Sequence, residues 1–267
     1  MSESAQNIWS PLACSLAEAY SAGAVRCVAI TGAQGSGKTT LARILAHEFV
    51  SRGVRAVVYS LDDFYLERAR RIELSRSVHP LLLTRGVPGT HDVELCVRVL
   101  DCVARAPTAM PQFDKGRDDR VEPSRWPVAG PVDVVVIEGW CLGARAQRAA
   151  DLIAPVNDLE RDEDGDGRFR GFVNDALRQR YRMLFERFDK LVFLQVPSFA
   201  AVRRWRAEQE LQIEASRRMS AVQLERFIAH YQRLTQWMLV DVPGRADLTV
   251  TLDESHAIAT RLTKRLA

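Results

Sequence analysis

The sequence predicts an open, doubly wound α/β fold, in which helices cover both faces of a mainly parallel, five-stranded sheet. Three observations lead to this fold class. Short apolar segments alternate with segments of helical spacing along the chain, an order that is typical of parallel sheets. Residues 132–137 are apolar at nearly every position, as expected for a strand covered on both faces. Hydrophobic residues make up 47% and charged residues 27% of the 267 residues, which is typical of a globular protein.

The predicted strands and helices follow one another in regular order. Within residues 38–49, Leu41, Ile44, Leu45 and Phe49 have the spacing of a helix with one buried face. The predicted strands are residues 25–31, 55–61, 132–137, 190–196 and 247–252. The predicted helices are residues 38–49, 92–104, 172–188 and 224–238, with a short helix after the last strand. We expect residues 1–24 to form an accessory N-terminal helix and residues 25–267 to form the main domain.

Composition and charge narrow the functional class. The 37 basic and 34 acidic residues leave a net charge of +3, which is too small to indicate nucleic acid as a partner. No apolar run reaches the roughly 18–20 residues of a membrane span, and the N-terminus lacks a secretion signal. The five cysteines form no CxxC pair, as expected for free thiols in a reducing compartment. We therefore expect a cytoplasmic protein with no nucleic acid or membrane partner.

The segment after the first predicted strand matches the phosphate-binding pattern G-x-x-x-x-G-K-[ST] and opens a helix, as that motif requires. Its glycines let several backbone N–H groups point at phosphate oxygens, next to the positive end of the helix dipole. Lys38 would reach the outer phosphates, and Thr39 would be a ligand of Mg²⁺. A dinucleotide-binding pattern is excluded because Thr40 stands where its third glycine belongs. The predicted nucleotide-binding residues are Gly32, Ala33, Gln34, Gly35, Ser36, Gly37, Lys38, Thr39 and Thr40.

Acidic residues follow two of the predicted strands, at the edge where parallel sheets bind ligands. Asp62 and Asp63 lie at the end of the second strand, and Glu138 lies at the end of the third. An aspartate there can accept the proton of an attacking hydroxyl, and a glutamate there can hold Mg²⁺, as a kinase requires. The alternatives are solvated turn acids or a helix cap for the aspartates, and a buried structural acid for Glu138. The chain has no N-K-x-D pattern, which argues against a GTPase.

Several motifs together resemble the plant-type D-glycerate 3-kinases, which belong to the P-loop kinases related to uridine kinase, phosphoribulokinase and pantothenate kinase. The motifs are the 32–39 loop, DDFY at 62–65, RGVPGTHD at 85–92, PQFDK at 111–115, DR at 119–120 and IEGW at 137–140. The resemblance extends from about residue 25 to about residue 240. It implies a P-loop NTPase fold with a helical lid.

The resemblance also implies transfer of a phosphate group from ATP to D-glycerate, with Mg²⁺ as the cofactor. Asp62 matches the proposed catalytic base of this group of kinases, and Glu138 matches its acidic residue at the magnesium site. The predicted substrate-binding residues are Asp62, Tyr65, Arg85, His91, Asp92, Asp114, Lys115 and Arg120. The chain departs from the family pattern in the short segment 116–118 and at Phe113, where the family has a tyrosine.

The chemistry of the acceptor is compatible with these segments. Glycerate carries one carboxylate, which requires at least one cation, and an arginine fork suits it best. Arg85, Lys115 and Arg120 lie on turn-rich segments and could supply that cation. Tyr65 and Phe113 could instead form a shelf for a nucleoside base. A kinase for a nucleoside, pantothenate or another small alcohol is therefore an alternative.

A polar segment at residues 203–219 carries five arginines, and we expect it to be a mobile lid over the nucleotide. One lid arginine would neutralise charge on the transferred phosphate. The predicted catalytic residues are Lys38, Asp62 and, from the lid, Arg206. A nucleotide-switched accessory ATPase is the alternative from another functional class. The sequence leaves open the oligomeric state and which hydroxyl of glycerate would react.

Overall fold

The structure, a computed structural model, describes residues 3–21, 25–214 and 218–263. Its strands are β1 (Cys27–Gly32), β2 (Ala56–Ser60), β3 (Thr108–Ala109), β4 (Phe113–Asp114), β5 (Asp119–Arg120), β6 (Val128–Ala129), β7 (Val134–Gly139), β8 (Lys190–Gln195), β9 (Leu248–Leu252) and β10 (Ile258–Thr263). Its α-helices are α1 (Glu3–Ser21), α2 (Lys38–Ser51), α3 (Arg68–Ser77), α4 (Val93–Val103), α5 (Asp158–Glu163), α6 (Arg168–Ala176), α7 (Arg182–Phe185), α8 (Phe199–Leu211) and α9 (Ala221–Asp241).

The central sheet has the strand order β10-β9-β8-β1-β7-β2. Strand β1 lies in the middle and pairs in parallel with β7 on one side and with β8 on the other. Strands β2 and β9 extend the parallel part of the sheet. Two short antiparallel pairs, β3 with β6 and β4 with β5, lie outside this sheet. The predicted α/β class with a mainly parallel sheet is confirmed.

The sheet has six strands rather than the predicted five, because the last segment is a strand and not the predicted short helix. Asp253 turns the chain after β9, since its carboxylate accepts hydrogen bonds from the backbone N–H of Ser255 at 2.8 Å and of Ala257 at 3.0 Å. Strand β10 then pairs antiparallel with β9 and forms one edge of the sheet. A turn of this kind between two extended segments is a hairpin signal.

The predicted helix at residues 172–188 begins earlier than predicted and is not regular. Helix α6 begins at Arg168, and a π-helical turn at Leu177–Tyr181 connects it to α7. The wider turn places Tyr181 in the interior, where its side chain is fully buried. Such π-helical turns often occur at functional sites.

The two faces of the sheet are covered by separate hydrophobic clusters. In β1, Val28 and Ile30 point to the face covered by α1 and α2. The neighbouring Cys27 and Ala29 point to the opposite face, which α4 and α9 cover. This alternation follows from the two-residue period of a strand. Both faces of the parallel strands are therefore dry, as the continuous apolar sequence of residues 134–137 predicts.

Helix α1 packs along α2 and belongs to the same hydrophobic cluster as the central strands. Its Trp9 is buried, and the indole ring lies against Gly37, the residue before α2. Gly37 has a φ of +85°, a conformation that glycine adopts at low cost. A Cβ atom at Gly37 would lie 2.9 Å from Cζ2 of Trp9. The N-terminal helix therefore contacts the loop between β1 and α2 directly.

The carboxyl ends of β1, β7 and β2 meet at one edge of the sheet and carry the sequence motifs to a common region. Gly32, Glu138 and Ser60 lie there, since the register pairs Ile30 with Glu138 and Glu138 with Ser60. Among the helices of the described residues, none is both long and apolar enough to cross a membrane.

Replacement of Gly37 by alanine tests the packing of α1 against this loop. Alanine at a positive φ costs roughly 1–2 kcal/mol of free energy of unfolding, and at position 37 the Trp9 ring must also move. The matched control is Gly53→Ala, because Gly53 has a φ of +78° and a Cβ added there would meet no heavy atom of the described residues within 4 Å, apart from its chain neighbours. We expect urea denaturation to show a larger loss for Gly37→Ala than for Gly53→Ala. Equal losses would show that the Trp9 ring adjusts without cost.

Candidate active site

The loop between β1 and α2 forms a backbone cradle for an anion. Gly35 and Gly37 have positive φ values of +83° and +85°, and the loop leads directly into the N-terminus of α2. At Gly32 there is no room for a side chain, since a Cβ would lie 2.7 Å from Oγ of Ser36 and 2.8 Å from the backbone oxygen of Leu194. Backbone N–H groups and a helix N-terminus are together a phosphate-binding arrangement.

The opposite end of the loop provides oxygen ligands for a cation. Thr39, in the first turn of α2, donates a hydrogen bond from Oγ1 to Oε1 of Glu138 at 3.0 Å. Glu138 is buried at the end of β7. Hydroxyl and carboxylate oxygens are the ligand types that Mg²⁺ prefers. These two residues have the ligand types that would hold a magnesium ion.

Asp62 is held in a short 3₁₀ helix, Leu61–Phe64, directly after β2. Its backbone N–H is capped by Oγ of Ser60 at 3.3 Å. Its carboxylate accepts a hydrogen bond from the hydroxyl of Tyr65 at 2.8 Å and from Nζ of Lys115 at 2.6 Å. The side chain retains 28% of its exposure, so the carboxylate is fixed from behind and open to the cleft in front.

The charge state of Asp62 results from two opposing effects. Burial alone would raise the pKa of its carboxyl, but the charge and hydrogen bond of Lys115 and the hydrogen bond of Tyr65 outweigh burial and lower the pKa below its ordinary value. For the neighbouring Asp63, burial, with a smaller contribution from the charge of Asp62, raises the pKa to about 6. Asp62 therefore stays ionised at neutral and mildly acidic pH, whereas Asp63 takes up a proton near pH 6.

The segment at residues 85–92 is a rigid loop that orients Arg85. The backbone oxygen of Arg85 accepts a hydrogen bond from the Tyr231 hydroxyl at 3.0 Å, and that of Gly86 accepts one from Nε1 of Trp140 at 2.7 Å. The Thr90 hydroxyl accepts a hydrogen bond from the backbone N–H of Gly86 at 2.9 Å. A Cβ at Gly86 would lie 2.0 Å from the Tyr231 hydroxyl, so only glycine fits. Three elements therefore fix the main chain beside Arg85.

The guanidinium of Arg85 faces the cleft within a cluster of charges. Its Nη1 contacts Oδ1 of Asp118, and the other carboxylate oxygen, Oδ2, lies 3.0 Å from Nη2 of Arg71. Both guanidinium groups lie over the ring of Phe113, at 5.4 Å for Arg85 and 5.9 Å for Arg71. The short segment 116–118 thus contributes a carboxylate to the site, and Phe113 supports the two cations.

The charged groups described above line one cleft with a volume of about 1080 Å³. A cleft of this size is sufficient for a nucleotide and a small second substrate. The lining residues that carry charge or an aromatic ring are Lys38, Arg43, Asp62, Asp63, Tyr65, Arg68, Arg71, Arg85, Lys115, Asp118, Glu138, Trp140, Arg206, Phe227 and Tyr231. The phosphate-binding loop and the predicted acceptor segments therefore share one cavity.

Half of the predicted substrate-binding residues line the cleft, namely Asp62, Tyr65, Arg85 and Lys115. The other four, His91, Asp92, Asp114 and Arg120, lie outside the lining and make structural contacts. His91 is buried behind Tyr65, with the two rings stacked at 4.6 Å, and burial lowers its pKa to about 4. Its Nδ1 shares a hydrogen bond with the Tyr181 hydroxyl. His91 is therefore neutral and supports the ring of Tyr65.

The side chains of the remaining three predicted residues form hydrogen bonds with main-chain or charged groups of the protein. Asp92 caps α4 by accepting a hydrogen bond from the backbone N–H of Leu95 at 3.1 Å. Arg120 donates to the backbone oxygen of Tyr65 at 2.9 Å and to Asp92 at 3.3 Å. Asp114 accepts hydrogen bonds from the backbone of the turn at residues 116–117. Asp92 and Asp114 thus stabilise a local cap and a turn, whereas Arg120 connects β5 to the segments that contain Tyr65 and Asp92.

Four of the five lid arginines lie within the described residues, and Arg217 lies outside them. Arg203 and Arg204 form surface ion pairs with Glu225 and Glu254. Arg218 is exposed and donates to backbone oxygens of the lid, at 2.8 and 3.0 Å. Arg206 lines the cleft, where Nη2 lies 2.7 Å from Oε2 of Glu210. Among these four, Arg206 is the one that lines the cleft.

Helix α8, which carries Arg206, also lies against the phosphate-binding loop. A Cβ at Gly35 would lie 3.0 Å from Cβ of Trp205. The indole Nε1 of Trp205 donates to the backbone oxygen of Glu254 at 3.3 Å, and its ring stacks on His256 at 3.9 Å. Trp9 and Trp205 therefore contact the loop from two different helices.

Sequence reasoning missed Arg71 and did not assign a role to Asp118. Arg71 is one of four arginines in α3, and nothing in their spacing distinguishes it from Arg68 or Arg70. Only the structure shows that Arg71 is almost fully buried, with 1% exposure. For Asp118, the signal in the sequence was its position in the segment 116–118. This segment departs from the family pattern and lies between the motifs at 111–115 and 119–120.

A family model described as Novel STAND NTPase 3 matches residues 21–71, the part of the chain that contains β1, the phosphate-binding loop, α2 and β2. The uncharacterized kinase mug58 of Schizosaccharomyces pombe is 34% identical over 245 residues, which cover 85% of this chain and 87% of the yeast protein. The chloroplastic D-glycerate 3-kinase of Arabidopsis thaliana is 30% identical over 220 residues, which cover 76% of this chain and 45% of the plant protein. The matched region thus spans less than half of the plant relative.

A solved structure of D-glycerate 3-kinase from Cryptococcus neoformans superposes with a TM-score of 0.75. It is 25% identical in sequence, and the match covers 99% of this chain and 100% of that one. The fold, the kinase names of these relatives and the extent of the matches agree with the motifs of the chain. The protein is a kinase, and it belongs to the D-glycerate 3-kinase family of P-loop kinases.

Proposed function

We propose that the protein transfers the terminal phosphate of ATP to D-glycerate. The observation that carries this proposal is the arrangement of Asp62 and Arg85, which line one cleft with the phosphate-binding loop. Asp62 can accept the proton of a hydroxyl, and Arg85 can bind a carboxylate. A small hydroxy acid carries both groups. The names of the Arabidopsis and Cryptococcus relatives support glycerate as that acid.

In this proposal the loop at residues 32–40 binds the phosphates of ATP, and Lys38 neutralises charge on the outer phosphates. Thr39 and Glu138, which contact each other at 3.0 Å, would hold Mg²⁺. The ion would supply positive charge that stabilises the transferred phosphate. Phosphoryl transfer needs little more from the protein than positioning and charge stabilisation.

Asp62 acts as the general base. A base must be ionised at the working pH and must lie within hydrogen-bond reach of the reacting hydroxyl. The contacts with Lys115 and Tyr65 satisfy the first condition, since they lower the pKa of Asp62 despite its burial. Its open face satisfies the second. Tyr65 and Lys115 are thus proposed to orient Asp62 as well as to bind the acceptor.

Arg85 binds the acceptor carboxylate. Its main chain is fixed by Tyr231 and its guanidinium lies over Phe113, so little conformational entropy is lost when it binds an anion. From the lid, Arg206 approaches the terminal phosphate. There it stabilises the charge that develops during transfer.

A panel of acceptors with ATP and Mg²⁺ tests this function. We expect ADP release to depend on D-glycerate, and not on uridine or pantothenate, with the product identified by phosphorus NMR. Asp62→Asn should lower kcat by about 10²–10⁴-fold, the range for loss of a general base. The control Asp101→Asn, on the surface of α4, should retain activity. Release that depends on another alcohol, or on none, would refute the glycerate assignment.

The role of Arg206 is tested by comparison with another arginine of the same helix. Arg206→Gln should lower kcat by about 10²–10³-fold, the usual effect of losing a group that stabilises transition-state charge. Arg203→Gln is the matched control, because Arg203 pairs with Glu225 on the surface and should have little effect. Similar kcat values for both variants in steady-state assays would exclude Arg206 from the reaction.

The pH dependence of turnover reports the environment of Asp62. In Lys115→Met the cation is lost and burial remains, so the pKa of Asp62 rises. The acid limb of the kcat/KM profile, which reports the free enzyme, should therefore move to higher pH. Lys190→Met is the control, because Lys190 pairs with Asp247 at the far side of the sheet. If Lys115 only bound substrate, kcat/KM would fall equally at every pH.

A further inference from the structure

The carboxylate of Asp118 lies beside Arg85, in the part of the cleft where the proposed function places the acceptor. Its Oδ1 contacts Nη1 of Arg85, and its Oδ2 lies 3.0 Å from Nη2 of Arg71. A carboxylate bound by two arginine groups is the contact that an acidic substrate would make. Here a side chain of the protein itself makes it.

The two arginines differ in their freedom to move. Arg71 is buried and donates to the backbone oxygens of Leu66, Leu83 and Asp118, at 3.2, 2.7 and 2.6 Å. Its donors are therefore largely used, and breaking them would leave buried polar groups unpaired. Arg85 retains 28% of its side-chain exposure. Asp118 is thus anchored on Arg71, while Arg85 can turn towards another anion.

The charges of this cluster define the kind of anion that it accepts. Two guanidinium groups and one carboxylate leave one net positive charge, which one monocarboxylate would neutralise. A second negative charge on the ligand would meet the carboxylate of Asp118 without a further cation from this cluster. Charge balance in a partly dehydrated cleft favours complete neutralisation.

We propose that Asp118 is a specificity-determining residue, an internal carboxylate that pairs with Arg85 and competes with the acceptor for it. The competition weakens acceptor binding and disfavours dianions relative to monoanions. This inference rests on the proposed function, because it concerns the subsite that binds the acceptor carboxylate. It predicts that removal of the Asp118 charge strengthens the binding of acids.

Two substitutions remove the charge in different ways. Asp118→Asn keeps the shape of the side chain. Asp118→Gly removes the side chain at a residue with a φ of +56°, where glycine is favoured, so this variant should fold even if the asparagine variant does not. Glu122→Gln is the control, since Glu122 is an exposed acid shortly after the same hairpin.

Calorimetry measures the Kd of each acid, and steady-state kinetics measure the KM values. We expect Kd and KM for D-glycerate to fall by about tenfold in both Asp118 variants, which corresponds to about 1.4 kcal/mol. The Kd of the dicarboxylate tartronate should fall further, while the KM for ATP and the values for Glu122→Gln should stay within about twofold of the parent.

Unchanged or weaker glycerate binding in both variants, with the ATP KM retained, would overturn the inference and show that Asp118 only positions Arg85. Failure of the proposed function has a different signature. In that case the parent enzyme would not phosphorylate glycerate, while the calorimetric comparison with glycerate, lactate and tartronate would still reveal whether Asp118 competes with carboxylates.

Discussion

The main-chain conformation between β1 and α2 is the constraint on which the rest of the site depends. Two positive φ values, at Gly35 and Gly37, give the loop a conformation in which backbone N–H groups can point at an anion. The start of the loop is tightly enclosed, since Ser36 and Leu194 leave no space at Gly32. The proposed roles of Thr39, Glu138 and Asp62 all depend on a phosphate chain that this loop would hold.

Around this loop, two opposing effects set the pKa values of the acidic residues, namely burial and neighbouring charges. Asp62 is ionised in a partly dehydrated position because Lys115 and Tyr65 contact it, while Asp63, one residue further on, has its pKa raised to about 6. Two chemically identical neighbours thus differ in pKa because their surroundings differ. The same principle applies to Arg71 and Arg85, where one guanidinium is fixed by carbonyl groups and the other faces the cleft.

Much of this organisation follows from local sequence signals. The phosphate-binding motif, the parallel strands and the acidic residues at strand ends were predictable, because each depends on residues that are close together in the chain. The kinase class and the family were likewise predicted from the motifs and are confirmed by the relatives. The C-terminal hairpin was missed because one turn at Asp253 decides between a helix and a strand at the sheet edge.

The acceptor side was harder to predict, because the contacts there join distant parts of the chain. Arg71 and Asp118 are 47 residues apart, and no periodicity relates them. His91, Asp92 and Arg120 lie in motifs that suggested direct contact with substrate, yet they pack behind Tyr65 and join it to α4. The motifs therefore identified the region of the cleft correctly. Only the fold shows which of their residues line the cleft and which support it from behind.

The contact of Trp9 with Gly37 changes how the chain should be divided. By sequence, residue 25 is a natural boundary, with a separate helix before it and a complete nucleotide-binding unit after it. In the folded protein, Trp9 fills the space directly behind the phosphate-binding loop. A shortened chain that started at β1 would retain every motif residue and would lose the back wall of its own nucleotide pocket.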